Sequence, residues 1–166
     1  TSRIAQPFTD ALSLYAIDLI AHNLVDVYNG TAGKEGWEKI TLASTIGGMV
    51  INTAGVTLAH GMEHPASGLK NIVHGQGLAA LTPVIIEASY KGNREKFSKI
   101  ARIMGGMTAE DCATKIRTLL RKLDLDCTLS DLGIKEEDIP WMAENCMKVS
   151  AASIANNPVV FTQEEI

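Results

Sequence analysis

Three of the four histidines in this 166-residue chain fall within fifteen positions: His60, His64 and His74. Neutral imidazole is the commonest protein ligand for Zn, Fe and similar divalent ions. His60 and His64 are four apart, so on a helix they share a face. His74 opens the next helical pattern. Ligands arriving from a helix end and from a following helix start can converge on one ion. The expectation is therefore a divalent-metal site.

The neighbouring residues remove several other chemistries. The pattern is not His-Glu-x-x-His, because Gly61 follows His60 and Glu63 directly precedes His64. A zinc protease would lack its general base at the required place. No Glu-x-x-His pair is present, so the di-iron bundle pattern fails as well. Glu63 is the only nearby carboxylate, and it is expected to be exposed or to cap a helix. His22 stands alone on an amphipathic segment and is read as structural. Gly75-Gln-Gly77-Leu-Ala-Ala80 matches a loose dinucleotide-loop pattern, but that loop needs a preceding strand and a βαβ unit. Gly75 and Gly77 are read instead as places where backbone approaches a ligand closely at a helix N-terminus.

The elements that must position these residues are helical. Pro7 suits a first helical position, and Phe8, Leu12, Tyr15, Leu19, Ile20 and Leu24 follow at helical spacing. Asn29-Gly30 ends that segment. A second helix is predicted over Gly36–Thr57, with Gly47-Gly48 admitting a neighbouring backbone. The stretch from His60 to His74, which contains Pro65 and Gly68, is expected to be irregular. Helices are then predicted over Gly75–Tyr90, Arg94–Met104, Thr108–Leu123 and Lys135–Ser150. Thr108 and Asp111 have the spacing of a capping pair. Thr162, with acids behind it, reads as the start of a further helix cut off by the chain end. Period-2 alternation is nearly absent. The fold class is all-α, a bundle of about six to seven helices in one domain, residues 1–166.

Composition narrows the function classes. The net charge is −4 and no stretch clusters Lys and Arg, which argues against nucleic acid as a partner. The longest apolar run, Ile46–Leu58, falls short of the ~20 residues of a membrane span. Thr1–Phe8 is neither basic nor apolar enough for a signal peptide. Cys112, Cys127 and Cys146 form no CxxC site or disulfide framework; they read as buried free thiols in a reducing, cytoplasmic setting.

His60, then His64-Pro65 four residues on, then His74-Gly75 ten beyond that, resembles the iron-containing alcohol dehydrogenase family. The resemblance extends over essentially the whole chain. Pro7-Phe8-Thr9-Asp10-Ala11-Leu12 with Ala16-Ile17 resembles that family's helix following its first metal-binding helix. Leu81-Thr-Pro83 resembles the apolar helix after the His-Gly. Leu132-Gly133-Ile134, Asn157-Pro158 and Thr162 resemble its C-terminal landmarks. Val159 stands where the family often has Arg, and Ala66-Ser67-Gly68 where Leu-Gly is common.

The resemblance implies a C-terminal domain of the dehydroquinate synthase-like kind. It makes His60 and His74 metal ligands, with Fe2+ the first expectation and Zn2+ the second. It makes His64 a non-ligand histidine near nicotinamide and substrate, so a catalytic residue. The implied reaction interconverts a primary alcohol and an aldehyde with NAD or NADP. The family's two remaining ligands are an Asp and a His four apart on one helix. This chain is read as lacking such a pair, since Asp10 is followed at +4 by Leu14. Both ligands and the N-terminal nucleotide-binding domain are therefore expected upstream of Thr1, and the isolated chain is expected to be inactive. The implied partners are a small alcohol or aldehyde and that missing domain, with a homo-oligomer among the assemblies the resemblance allows. The alternative is a non-catalytic helical domain for metal binding or interaction.

Overall fold

The computed structural model describes residues 1–166 as eight α-helices and two short 3-10 turns, with no strand. The all-α expectation holds; the third helix, over a stretch expected to be irregular, and the short eighth helix are the elements that periodicity did not indicate. α1 (Pro7–Tyr28) and α2 (Lys34–Ala54) form a hairpin around Ala16, Leu19, Ala43 and Ile46. α3 (Leu58–Lys70) packs on α4 (His74–Ser89), on α7 (Ile139–Val149) and on α8 (Ala151–Asn156). α5 (Arg94–Ile103) joins α1 to α6 (Asp111–Lys122), and α6 also lies on α4. The core beneath α3 and α4 consists of Leu58, Ala59, Leu81, Ile85, Cys146 and Ile154. No single helix is long and apolar enough to cross a membrane.

The helix starts follow from local chemistry. Pro7 occupies the first turn of α1, where its missing N–H costs nothing. The Asp111 carboxylate accepts from the backbone N–H of Met107 and of Thr108, which is the returning half of a capping pair. At the chain end, Thr162 donates from both its N–H and its hydroxyl to Glu165, but a turn forms there and no helix.

One expected irregularity is absent. α3 runs through Pro65, although proline removes the hydrogen bond to the carbonyl four residues back. Pro65 and Ala66 are buried against neighbouring elements, so tertiary packing outweighs the local cost. Gly47 and Gly48 also differ from expectation. A Cβ at either would meet nothing within 4 Å, so no backbone approaches them.

The corner between α2 and α3 sets the direction of the histidine-bearing helix. The two axes meet at 103°. Gly55 turns the chain at φ 62°, a conformation other residues rarely adopt, and a Cβ there would lie 2.8 Å from Asn156 Nδ2. Ser2 Oγ donates to Ala54 O at 2.7 Å and Arg3 N donates to Asn156 O at 2.8 Å, tying the chain start to the same corner. The opposite end of α4 is held by Asn157, which is buried; its Nδ2 donates to Ser89 Oγ and to Val159 O, each at 2.8 Å.

Removing a buried donor leaves its acceptors unpaired at about 1–3 kcal/mol. Asn157→Ala is therefore expected to lower the unfolding free energy by that amount, read as a shifted urea midpoint at unchanged slope. A midpoint equal to wild type would show that the tail is held elsewhere.

Candidate metal centre

His60 lies in the first turn of α3, His64 one turn later, and His74 is the first residue of α4. Asn71, at φ 52°, ends α3, and Asn71–Val73 returns the chain so that α4 begins beside the middle of α3. The three imidazoles meet there. Ring centroids are 5.3 Å apart for His60 and His74, 5.9 Å for His64 and His74, and 6.1 Å for His60 and His64. Two imidazoles bound tetrahedrally at about 2.0–2.1 Å from one ion have centroids roughly 5 Å apart. His60 and His74 are the closest pair of rings by centroid, while the group whose ligand atoms all lie within 4.8 Å of one another contains His64 and His74 but not His60.

The residue that sequence reasoning misplaced is Glu63. Its side chain is fully buried, neither exposed nor a cap. Its Oε2 lies 2.5 Å from His74 Nδ1, and Ser67 Oγ, also 3.0 Å from Ile72 O, donates to its Oε1. Glu63, His64 and His74 place ligand atoms within 4.8 Å of one another. Glu63 is nonetheless a hydrogen-bond partner here. Two ligand atoms on a common ion stand roughly 3 Å or more apart, and the Glu63–His74 separation is shorter. The donor set, three imidazoles with a buried carboxylate against one of them, suits a divalent ion that accepts nitrogen ligands.

Gly77 has a different task from the one expected. A Cβ there would lie 2.8 Å from Glu63 Cγ and 3.0 Å from Glu63 Oε1. The glycine makes room for the carboxylate and not for a ligand. Gly75 faces open space, and Gly75-Gln-Gly77 lies inside α4 with no strand before it, so the dinucleotide-loop reading fails on structure as well.

Burial, reinforced by His74 and His64, pushes the His60 imidazole below its ordinary value, with Glu63 pulling the other way. Burial disfavours the charged form and so preserves the lone pair a metal needs. His60 also borders an apolar cavity of about 610 Å³, walled by residues including Ile17, Val50, Ile85, Ile86 and Phe97.

The expectation that no Asp and His stand four apart is wrong: Asp18 and His22 do, on α1. They do not join the cluster. His22 is exposed, its Nδ1 lies 2.9 Å from Asp18 O and 3.3 Å from Asp18 Oδ1, and it faces Arg102, Lys115 and Lys122. Of the cysteines, Cys112 and Cys146 are buried as expected, and burial raises the Cys112 thiol to about 11. Cys127 is partly exposed on the segment after α6.

Comparison with known proteins agrees with this architecture. The C-terminal model of the Fe-containing alcohol dehydrogenase family matches residues 1–166. The chain is 35% identical to 1,3-propanediol dehydrogenase of Klebsiella pneumoniae, over 99% of its own length and 44% of that protein. It is 32% identical to lactaldehyde reductase of Escherichia coli over the same shares. An archaeal alcohol dehydrogenase from a Red Sea brine pool superposes with TM-score 0.91 at 32% identity, and a 1,3-propanediol oxidoreductase with 0.90 at 34%; each match covers 99% of this chain and 44% of the other. The chain thus spans less than half the length of the relatives it matches. With its helices and its histidine spacing both accounted for, the chain belongs to the iron-containing alcohol dehydrogenase family and corresponds to the C-terminal part of its members.

Proposed function

We propose that this chain is the metal-carrying helical part of an NAD(P)-dependent alcohol dehydrogenase that interconverts a primary alcohol and an aldehyde. The observation that carries the proposal is the gathering of the His60, His64 and His74 rings from two helices, with centroids 5.3–6.1 Å apart and His74 braced by a buried carboxylate. In this reading His60 and His74 are metal ligands. A bound Fe2+ or Zn2+ supplies Lewis-acid polarisation of the alcohol oxygen, while NAD(P) carries the hydride.

His64 is exposed, borders both ligands, and makes no hydrogen bond that would hold it in place. It is free to approach substrate and to hold a proton near the reacting oxygen, which is a catalytic role. Two histidines are fewer than the three or more protein ligands of a catalytic site. The remainder of the full-length protein is proposed to supply the other ligands, together with the nucleotide-binding domain.

The accessible surface supports a larger assembly. A compact protein of 17.8 kDa exposes about 8,000 Å²; this chain exposes 9219 Å². Phe8, Trp37, Met49 and Val73 are each more than half exposed. Apolar surface of that kind marks faces that meet another part of a protein.

In the full-length protein, His60→Ala and His74→Ala are expected to lose bound metal and to lower kcat/KM by at least about 100-fold. His64→Ala should keep its metal while kcat falls and its pH profile changes. Metal loss equal to that of the ligand variants would remove the separate role of His64. Residues 1–166 alone are expected to show no dehydrogenase activity, and oxidation of NADH with an aldehyde by this chain would overturn that.

The lowered His60 value has a pH consequence in the metal-free protein. NMR should show His60 titrating below the ordinary 6.5. The folded state holds that proton less tightly than the unfolded state. The stability it contributes is therefore complete above about 6.5 and is lost as pH falls through the folded value. A His60 midpoint above 6.5 would contradict the burial argument.

A further inference from the structure

The geometry points to Glu63 as the positioning residue of the centre, fixing the tautomer and ring direction of His74. The inference rests on the reading of His74 as a metal ligand. Three observations carry it. Glu63 is fully buried and ends at His74 Nδ1, 2.5 Å away. Its other oxygen accepts from Ser67 Oγ, one turn further along α3, so the carboxylate cannot rotate away without losing a partner. Gly77, in the first turn of α4, is the one residue type that leaves space for the Glu63 stem.

An ionised carboxylate only accepts hydrogen bonds. Facing it, Nδ1 of a neutral imidazole must carry the ring proton, which leaves the Nε2 lone pair free. Free histidine in water prefers the opposite tautomer, with the proton on Nε2, so the lone pair would point at the wrong partner. Glu63 reverses that preference before any ion arrives. A carboxylate donating electron density through the ring also raises the basicity of the ligating nitrogen. His74 itself is half exposed, with 53% of its side chain accessible, and nothing else holds its ring. The brace therefore acts from the protein side and leaves the solvent side open for the ion and substrate.

The spacing gives a compact signature within this chain: the carboxylate at 63, the hydroxyl at 67, the imidazole at 74 and the glycine at 77. Glu63 and Ser67 share one face of α3, and His74 and Gly77 share one face of α4. These two faces meet along the carboxylate. The arrangement positions a ligand and also joins α3 to α4.

The test uses the full-length protein labelled with 15N at histidine, first without metal and then titrated with Co2+. In wild type, His74 should be the Nδ1–H tautomer, read from two-bond 15N–1H correlations. Glu63→Ala should return His74 to the Nε2–H tautomer and weaken Co2+ binding by about 10- to 100-fold, with a changed visible absorption spectrum. Glu63→Gln has the same volume and keeps an oxygen acceptor, so it should preserve the tautomer and restore most of the affinity. Gly77→Ala, with Glu63 intact, should displace the carboxylate and reproduce the Glu63→Ala tautomer change. An unchanged His74 tautomer in both Glu63→Ala and Gly77→Ala would overturn the inference. So would an unchanged Co2+ affinity in Glu63→Ala while His74→Ala abolishes binding. If His74→Ala itself binds Co2+ as wild type does, the ligand assignment fails instead.

Discussion

The junction on which the site depends is the buried contact between Glu63 of α3 and His74 of α4. A carboxylate with no exposed surface is costly unless every oxygen finds a partner. Here one oxygen faces His74 and the other Ser67, and no buried side-chain polar atom in the chain lacks a hydrogen-bond partner. Satisfying Glu63 therefore requires α4 to start where it does. The same requirement brings His74 within 5.3 Å of His60, ring to ring. Stability and site geometry are two consequences of one contact.

The surrounding helices serve that junction. The 103° corner after α2, with Gly55 at positive φ, turns α3 away from the α1–α2 hairpin and onto α4, α7 and α8. Beneath the histidines, Leu58, Ala59, Leu81 and Ile85 make an apolar floor with Cys146 and Ile154. That floor packs the start of α3 against the middle of α4, while His64 and His74 stay exposed at the surface. A site built on helices over a packed floor keeps its geometry better than one built on loops. The apolar cavity beside His60 continues this floor under the first turn of α3.

Much of the helical framework was legible, because apolar periodicity and end signals are local. Pro7 and Asn29-Gly30 bracket α1 as expected, and the starts of α4 and α5 fall within one residue of their predicted places. The misreadings share a cause. Pro65 and Gly68 look like helix breakers locally, yet packing against Ile134 and Met142 carries α3 through them. Gly47-Gly48 looks like a contact site, yet no neighbour comes near. Asp18 and His22 have the spacing of a ligand pair, yet both are exposed, His22 shares a surface cavity with Arg102 and Lys115, and neither belongs to the cluster. α8 is six residues long, too short for any periodic signal.

Sequence alone determined the all-helical class, the three-histidine spacing and its family resemblance, because helical periodicity and ligand intervals are properties of neighbours along the chain. Tertiary structure alone decided that Glu63 is buried, that Gly77 exists to accommodate it, and that His22 stays outside. Those outcomes depend on which helix faces which, and a carboxylate's environment is set by residues eleven and fourteen positions away. No local pattern distinguishes a glutamate on a wet helix face from one sealed beneath another helix.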